Sequence, residues 1–259
     1  MSEKLGLATE DAARVYRERI YAKYESARET QRAPRSIEGL RPRLPYLRKL
    51  VRCHFPSDLK ASILELGCGH GALLHVLHQA GYQTARGVDV SGEQVAVAGQ
   101  LGIAGVSQAD ALETLVATPA MSLDVVVTFD LIEHLSKGEM VPFVDSVQRA
   151  LKPNGRWIIH VPNAESPFFG RIRYGDFTHE LAFTRVSLDQ LLRASGFFRV
   201  DCFEDRPVPH GIKSLTRALL WRFIRLALLG YLAIETGSVD HDALFSQNFL
   251  AVAFKCDAT

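Results

Sequence analysis

The run ILELGCGHGALLHVL constrains the fold more than any other part of the chain. An apolar stretch from Ser62 to Leu66 meets a turn containing Gly67, Gly69 and Gly71, and a helical pattern follows at once. Glycine adopts the positive-φ backbone that such a reversal needs and lets a nucleotide approach the chain closely. Strand, glycine turn and helix together open a βαβ unit. Spacing alone leaves its ligand open. Gly67, Gly69 and Ala72 also satisfy the G-x-G-x-x-G/A pattern of dinucleotide binders, and Asp89, 18 residues past Gly71, stands where a ribose-binding acid belongs.

Glu65 separates the two ligands. A pyrophosphate over the helix N-terminus would be repelled by a carboxylate two positions before the first glycine, whereas a cationic, zwitterionic tail would be attracted. The motif of an acid, one residue, then G-x-G-x-G resembles the first motif of class I S-adenosylmethionine-dependent methyltransferases. The resemblance continues in order from Ser62 to about Ala194. It implies that Glu65, Gly67, Cys68, Gly69, His70 and Gly71 surround the donor, and that Asp89, followed by Val90, binds the ribose hydroxyls. It further implies that Asp110 and Ala111 meet the adenine, and that Phe129 and Asp130 end a strand facing the donor. LKPNGRWIIHVPN is similar to the family's post-motif segment, with a turn at Pro153 and Gly155 feeding a strand.

The hydrophobic pattern extends this into an α/β fold. Strands are expected at Ser62 to Leu66, Thr84 to Asp89, Gly105 to Gln108, Leu123 to Phe129, Arg156 to Val161, Phe198 to Phe203 and Phe249 to Lys255. Helices are expected at Ala72 to Ala80, Gly92 to Leu101, Ala111 to Ala117, Lys137 to Ala150 and Ser187 to Ala194. The expectation is a Rossmann-like, mostly parallel seven-stranded sheet with helices on both faces and an antiparallel last strand. Helices at Glu10 to Ala33 and Leu44 to His54 make residues 1–56 an N-terminal helical cap on a donor-binding domain of residues 57–259. A helical insertion at 211–234 precedes the final strand.

Ligands of open α/β sheets lie beyond the carboxyl ends of the strands, so residues after the fourth and fifth strands face the acceptor. These include Asp130, Glu133 and His134, and the long loop PNAESPFFGRIRYGDFTHELAF from Pro162. Oxygen methylation requires a group near the hydroxyl that loses its proton, and His134 and His179 are the candidate bases, with Asp176 beside them. The plainer alternatives are that His134 caps the next helix and that His179 ties down its own loop. His160, inside the fifth strand, reads as structural.

The D-x-x-E-H run resembles a segment in quinone-pathway O-methyltransferases and small-RNA 2′-hydroxyl methyltransferases. The resemblance implies a second reading, in which Asp130, Glu133, His134 and His179 hold Mg²⁺ or Mn²⁺. The doubled acid and histidine of the RNA enzymes are absent. So is the N/D-P-P-Y/F run of nucleobase N-methyltransferases, which favours oxygen as the acceptor atom. The D-F-T-H-E loop is similar to one in methyltransferases of bacterial surface polysaccharide assembly.

With 30 Lys and Arg against 29 Asp and Glu, the chain carries no field suited to nucleic acid. Residues 10–52 hold 12 basic against 6 acidic side chains, either a solvated face or a basic cap over an anionic ligand. The four scattered cysteines show no zinc or disulfide spacing, and no leader or anchor pattern opens the chain, so a cytoplasmic location is expected. GIKSLTRALLWRFIRLALLGYLAI is too interrupted by charge to span a bilayer. It reads as a packed helix, a homodimer seam, a lid, or a basic amphipathic helix lying peripherally on the inner membrane. The expected activity is methyl transfer from S-adenosylmethionine to a hydroxyl of a small-molecule or glycan acceptor, which a lipid carrier would tie to the membrane. The alternatives are a non-catalytic donor-binding regulator or scaffold and a dehydrogenase.

Overall fold

The computed structural model describes residues 16, 17, 19–23, 26 and 33–257. Its centre is a seven-stranded sheet in the order β3-β2-β1-β4-β5-β7-β6. The strands are β1 (Ile63–Leu66), β2 (Arg86–Asp89), β3 (Val106–Gln108), β4 (Leu123–Phe129), β5 (Leu151–Pro162), β6 (Phe197–Glu204) and β7 (Asn248–Lys255). β7 runs antiparallel between β5 and β6, and the pairs among β1 to β5 are parallel. This is the Rossmann-like architecture expected from the sequence.

Alternation along the central strands explains why both faces are covered. Leu64, Leu66, Val126, Trp157, Ile159 and Val161 point into one apolar core. Ile63, Val125, Val127 and Ile158 point into the other. A strand places successive side chains on opposite faces, so a strand apolar at every position must be buried on both. The first core is closed by α4 (Ala111–Ala117), α5 (Lys137–Ala150) and α7 (Arg185–Ala194), and the second by α1 (Leu44–His54), α2 (Ala72–Gln79) and α3 (Gly92–Gln100). A short α6 (Phe169–Arg173) lies in the loop after β5, and α8 (Ile212–Thr236) lies between β6 and β7.

Several boundaries differ from expectation for identifiable reasons. The turn expected at Pro153 and Gly155 lies inside β5 as a bulge, because pairing jumps from Leu123–Leu151 to Val125–Arg156 and Asn154 adopts φ 59°. A side chain at Gly155 would lie 2.8 Å from the Lys152 carbonyl oxygen, so the bulge requires glycine. Helix α6 interrupts what read as irregular loop. Of the helix expected over Glu10 to Ala33, residues 16, 17 and 19–21 are helical, and most of the remainder lies outside the described residues.

Candidate active site

The glycine turn links β1 to α2 through left-handed backbone at Gly67 and Gly69, with φ of 68° and 53°. A side chain at Gly69 would meet nothing nearer than Gln94 Oε1 at 3.6 Å, so this glycine is required by its conformation and leaves an open approach. At the end of β2, Asp89 braces the turn. Its Oδ2 accepts the Gly69 N–H at 2.7 Å and its Oδ1 accepts the Ser91 N–H at 2.9 Å. Each carboxylate oxygen keeps a further acceptor site, the pair that two neighbouring hydroxyls require. His70 reaches Gln94 Oε1 through Nδ1 at 3.1 Å, which ties the turn to α3.

Glu65 is only 3% exposed, and its Oε2 has no hydrogen-bond partner among the described residues. Burial pushes its pKa up to about 8, against the opposing influence of Arg43. By sequence Glu65 reads as a charged carboxylate; burial favours its neutral form, and a cation beside it would favour ionisation. Asp110 caps α4, with Oδ1 accepting the Glu113 N–H at 2.9 Å, and Ala111 is the first residue of that helix. Val90 is exposed next to Asp89. Cys68 is buried with its thiol pKa pushed up by burial, which marks it as packing behind the turn. The Phe129 ring stacks on His160 at 4.0 Å, with the Arg43 guanidinium 5.7 Å from its centre.

The end of β4 is strained. Asp130 adopts φ 54°, a left-handed conformation uncommon for a residue with a side chain. Its N–H donates to the His160 carbonyl oxygen at 3.0 Å, and His160 Nδ1 donates to its Oδ1 at 2.6 Å. The other ring nitrogen, Nε2, donates to Asp205 Oδ2 at 3.1 Å. Burial alone would lower the imidazole pKa, but the two carboxylates outweigh it and raise it to about 10. His160 is thus a buried cation that aims Asp130, and the His160 charge holds the Asp130 pKa low despite the desolvation that opposes it.

A second cluster forms around the 3-10 turn Ile132–His134. The Glu133 carbonyl oxygen accepts the N–H groups of Glu180 at 2.8 Å and Leu181 at 2.9 Å, which pins the loop after β5 against the end of β4. That contact brings the His134 and His179 rings to 4.7 Å between centres. Glu133, His134 and His179 present ligand atoms within 4.8 Å of one another. Asp130, expected as a fourth ligand, is outside this set because His160 holds it. Glu133 is fully buried, both its carboxylate oxygens lack hydrogen-bond partners among the described residues, and desolvation followed by the Asp130 charge raises its pKa well above the usual range.

Hydrogen bonds define the ring tautomers here. Thr178 Oγ1 donates to Asp176 Oδ1 at 2.6 Å, so it accepts from His134 Nδ1 at 2.9 Å, and the Thr178 carbonyl oxygen lies 3.2 Å from the same nitrogen. His179 Nδ1 donates to the Ile172 carbonyl oxygen at 3.1 Å. Both imidazoles therefore carry their proton on Nδ1 and present an Nε2 lone pair. Burial lowers the His134 pKa to about 4, with His179 adding to the effect, and burial lowers the His179 pKa as well. Helix α5 is capped by Ser136 and Glu139, so the alternative of His134 as its cap does not hold. His179 does tie down its loop. Asp176 serves Thr178 through both its N–H and its hydroxyl, which makes it a positioning group for His134. Asn163, expected to face the acceptor, is fully buried, and its amide donates to the Leu244 and Ser246 carbonyl oxygens at 2.7 and 2.9 Å.

Arg43, Asp205 and Tyr46, whose ring lies 6.1 Å from those of both Phe129 and His160, border the candidate site but carry no motif, and Thr178 stands inside the D-F-T-H-E run with nothing to single it out. The excess of basic residues over 10–52 is the signal from which Arg43 comes. A cavity of about 440 Å³ adjoins His179, with Asp176, Tyr16, Tyr174 and Phe177 also in its wall. A larger cavity of about 550 Å³ beside α1 and α2 contains none of the residues singled out, so volume alone does not locate the chemistry.

A family model described as a methyltransferase domain matches residues 32–200. No curated protein sequence matches the chain. Among solved structures, a S-adenosylmethionine-dependent methyltransferase from Archaeoglobus fulgidus is similar at TM-score 0.62 and 22% identity, over 81% of this chain and 93% of that one. A Thermotoga maritima methyltransferase, described as a possible histamine N-methyltransferase, gives 0.56 and 18%, over 84% and 94%. Phosphoethanolamine N-methyltransferase 2 of Haemonchus contortus, in complex with phosphomonomethylethanolamine and S-adenosylhomocysteine, gives 0.58 and 18%, over 82% and 52%. At these identities the likeness is one of fold.

Proposed function

From the premise that the chain belongs to the methyltransferase-domain family matched by residues 32–200, we propose that it is an O-methyltransferase whose acceptor hydroxyl lies against Glu133, His134 and His179. The family implies S-adenosylmethionine as donor, and the residues present fit it. The unpartnered Glu65 oxygen suits the cationic amino-acid tail, Asp89 suits a ribose diol, and the open turn at Gly69 admits the ligand. When bound, the donor supplies an electrophilic methyl group. The chain contributes position: Asp89 and Glu65 orient the donor, and Asp130, aimed by His160, borders the path to the acceptor.

One observation carries the acceptor reading: the two buried, unpartnered Glu133 oxygens lie beside two imidazoles that each present a neutral Nε2. A buried carboxyl with no partner is costly, and a divalent cation such as Mn²⁺ or Mg²⁺ would satisfy it together with both rings. Its charge would lower the cost of removing the proton from an adjacent hydroxyl. His134, with a pKa near 4, is too weak a base for that task near neutral pH, which favours its role as a ligand. The aromatic walls of the adjoining cavity, Tyr16, Tyr174 and Phe177, suit the face of a sugar or a phenol, so the acceptor class is a glycan, free or lipid-linked, or a small hydroxylated ring. This fits a role in polysaccharide assembly.

A second reading keeps the same acceptor and makes His179, through its Nε2, the base itself. Titration calorimetry of the full chain with Mn²⁺ separates the two. Binding that Glu133→Gln abolishes supports the cation reading. Absence of binding in the wild type, with methyl transfer indifferent to chelator, supports the base. Donor binding with no transfer to any acceptor would instead make the protein a non-catalytic donor-binding regulator or scaffold.

A further inference from the structure

Helix α8 is stacked on the body along one narrow face and leaves the opposite face bare. Ser214 is its one buried residue. Trp221 Nε1 donates to Glu204 Oε2 at 3.4 Å, and Arg225 joins the same carboxylate at 3.2 Å and donates to the His241 and Ala243 carbonyl oxygens at 3.0 and 3.3 Å. Positions 214, 221 and 225 lie on one side of a 3.6-residue helix. The opposite side is marked by 212, 215, 219, 223, 226 and 234. Those residues are Ile212, Leu215, Leu219, Phe223, Leu226 and Ile234, all exposed, with Phe223 at 69% and Ile234 at 88%. A straight apolar stripe of six turns facing solvent is costly unless something covers it.

We infer that α8 docks the protein onto an anionic lipid surface, its apolar stripe entering the interface and its flanking cations meeting the headgroups. The charge pattern selects this occupant. Lys213, Arg217 and Arg222 flank the stripe and are exposed, while no acidic residue occurs from Ile212 to Ile234. Two copies packed stripe to stripe would bring these cations together with a single acid per helix, Glu235 in the last turn, to offset them, which disfavours a dimer seam. Anionic headgroups supply the missing charge. No helix among the described residues is long and apolar enough to cross a membrane, so α8 lies on the surface and does not span it. Tyr231, exposed near its end, suits the boundary between headgroup and acyl chain. The helix also follows the site closely in sequence. β6 runs parallel to β5 and ends at Glu204, and the next residue, Asp205, holds His160. Docking through α8 therefore brings the carboxyl-end rim of the sheet to the lipid.

Co-sedimentation of the full chain with vesicles tests this. The protein is expected to pellet with phosphatidylglycerol–phosphatidylcholine vesicles and to stay in the supernatant with phosphatidylcholine alone. The double variant Leu219→Ser and Phe223→Ser should lose vesicle binding and keep the thermal stabilisation given by S-adenosylhomocysteine, because both side chains face solvent. Reversing charge with Arg217→Glu and Arg222→Glu leaves the stripe intact. It should weaken partitioning by roughly tenfold to a hundredfold, as expected for cations near a charged surface. Equal binding to neutral vesicles, or binding to neither, overturns the inference. So does a wild-type dimer in light scattering that the Leu219 and Phe223 variant converts to a monomer.

Discussion

The His134 and His179 rings meet with their centres 4.7 Å apart, one carried by the turn after β4 and the other by the loop after β5. Adjacent parallel strands bring their carboxyl-end loops to one rim, and the Glu133 carbonyl oxygen fastens the two loops together. His179→Ala should reduce turnover by roughly 10²- to 10⁴-fold and leave donor affinity nearly unchanged, because the proposal places the ring against the acceptor and not the donor. Parallel loss of donor affinity, read by calorimetry, would contradict that placement.

Asp89→Ala should remove most of the stabilisation that S-adenosylhomocysteine gives the protein. Two charge-assisted hydrogen bonds are lost, on the order of 2 to 4 kcal/mol of binding. The Gly69 N–H also loses its acceptor, so the ligand-free protein should melt at a lower temperature as well. Unchanged affinity would remove Asp89 from the site.

Donor binding should depend on pH through Glu65. The pKa of Glu65 is raised to about 8, so below pH 8 the carboxyl is protonated and a cationic ligand must displace that proton. Affinity should therefore rise with pH between 6 and 8, by at most about tenfold per unit, and level off above 8. Glu65→Gln should flatten the dependence and hold affinity at the low-pH level. A flat profile in the wild type would show that Glu65 does not ionise on binding.

His160→Asn leaves Asp130 and Asp205 facing one another without the cation between them. Removing one partner of a buried pair costs about 3 to 5 kcal/mol, but the Asp130 side chain is 43% exposed and water screens it, so about 2 kcal/mol is expected. Chemical denaturation measures this. The same variant should lower turnover at saturating donor, because Asp130 loses the group that aims it.

The parts of this molecule legible in the sequence are those where pattern and structure are local. Strands apolar at every position, such as β4, and the glycine turn with its two acids are written in consecutive residues. The turn proposed to hold the donor was therefore legible as a motif, whereas the protonation of Glu65 depends on burial that no motif records. The cluster proposed to face the acceptor is assembled from distant segments. His160 looked structural because its two carboxylate partners, Asp130 and Asp205, lie on other elements. Thr178 lies in the D-F-T-H-E run, but its part, fixing the His134 tautomer, depends on a contact with a distant segment that the run does not record. The bulge at Asn154 read as a turn because the same residues serve either purpose until the pairing with β4 is known.

Transfer from isotopically labelled S-adenosylmethionine to a panel of sugars, lipid-linked glycans, phenols and quinone precursors, with Mn²⁺ or with chelator, tests the central claim most directly. Label should appear on oxygen of a hydroxylated acceptor, and transfer should fall on changing Glu133→Gln, His179→Ala or Asp89→Ala. Label recovered on nitrogen, or transfer that survives both Glu133→Gln and His179→Ala, would contradict the account.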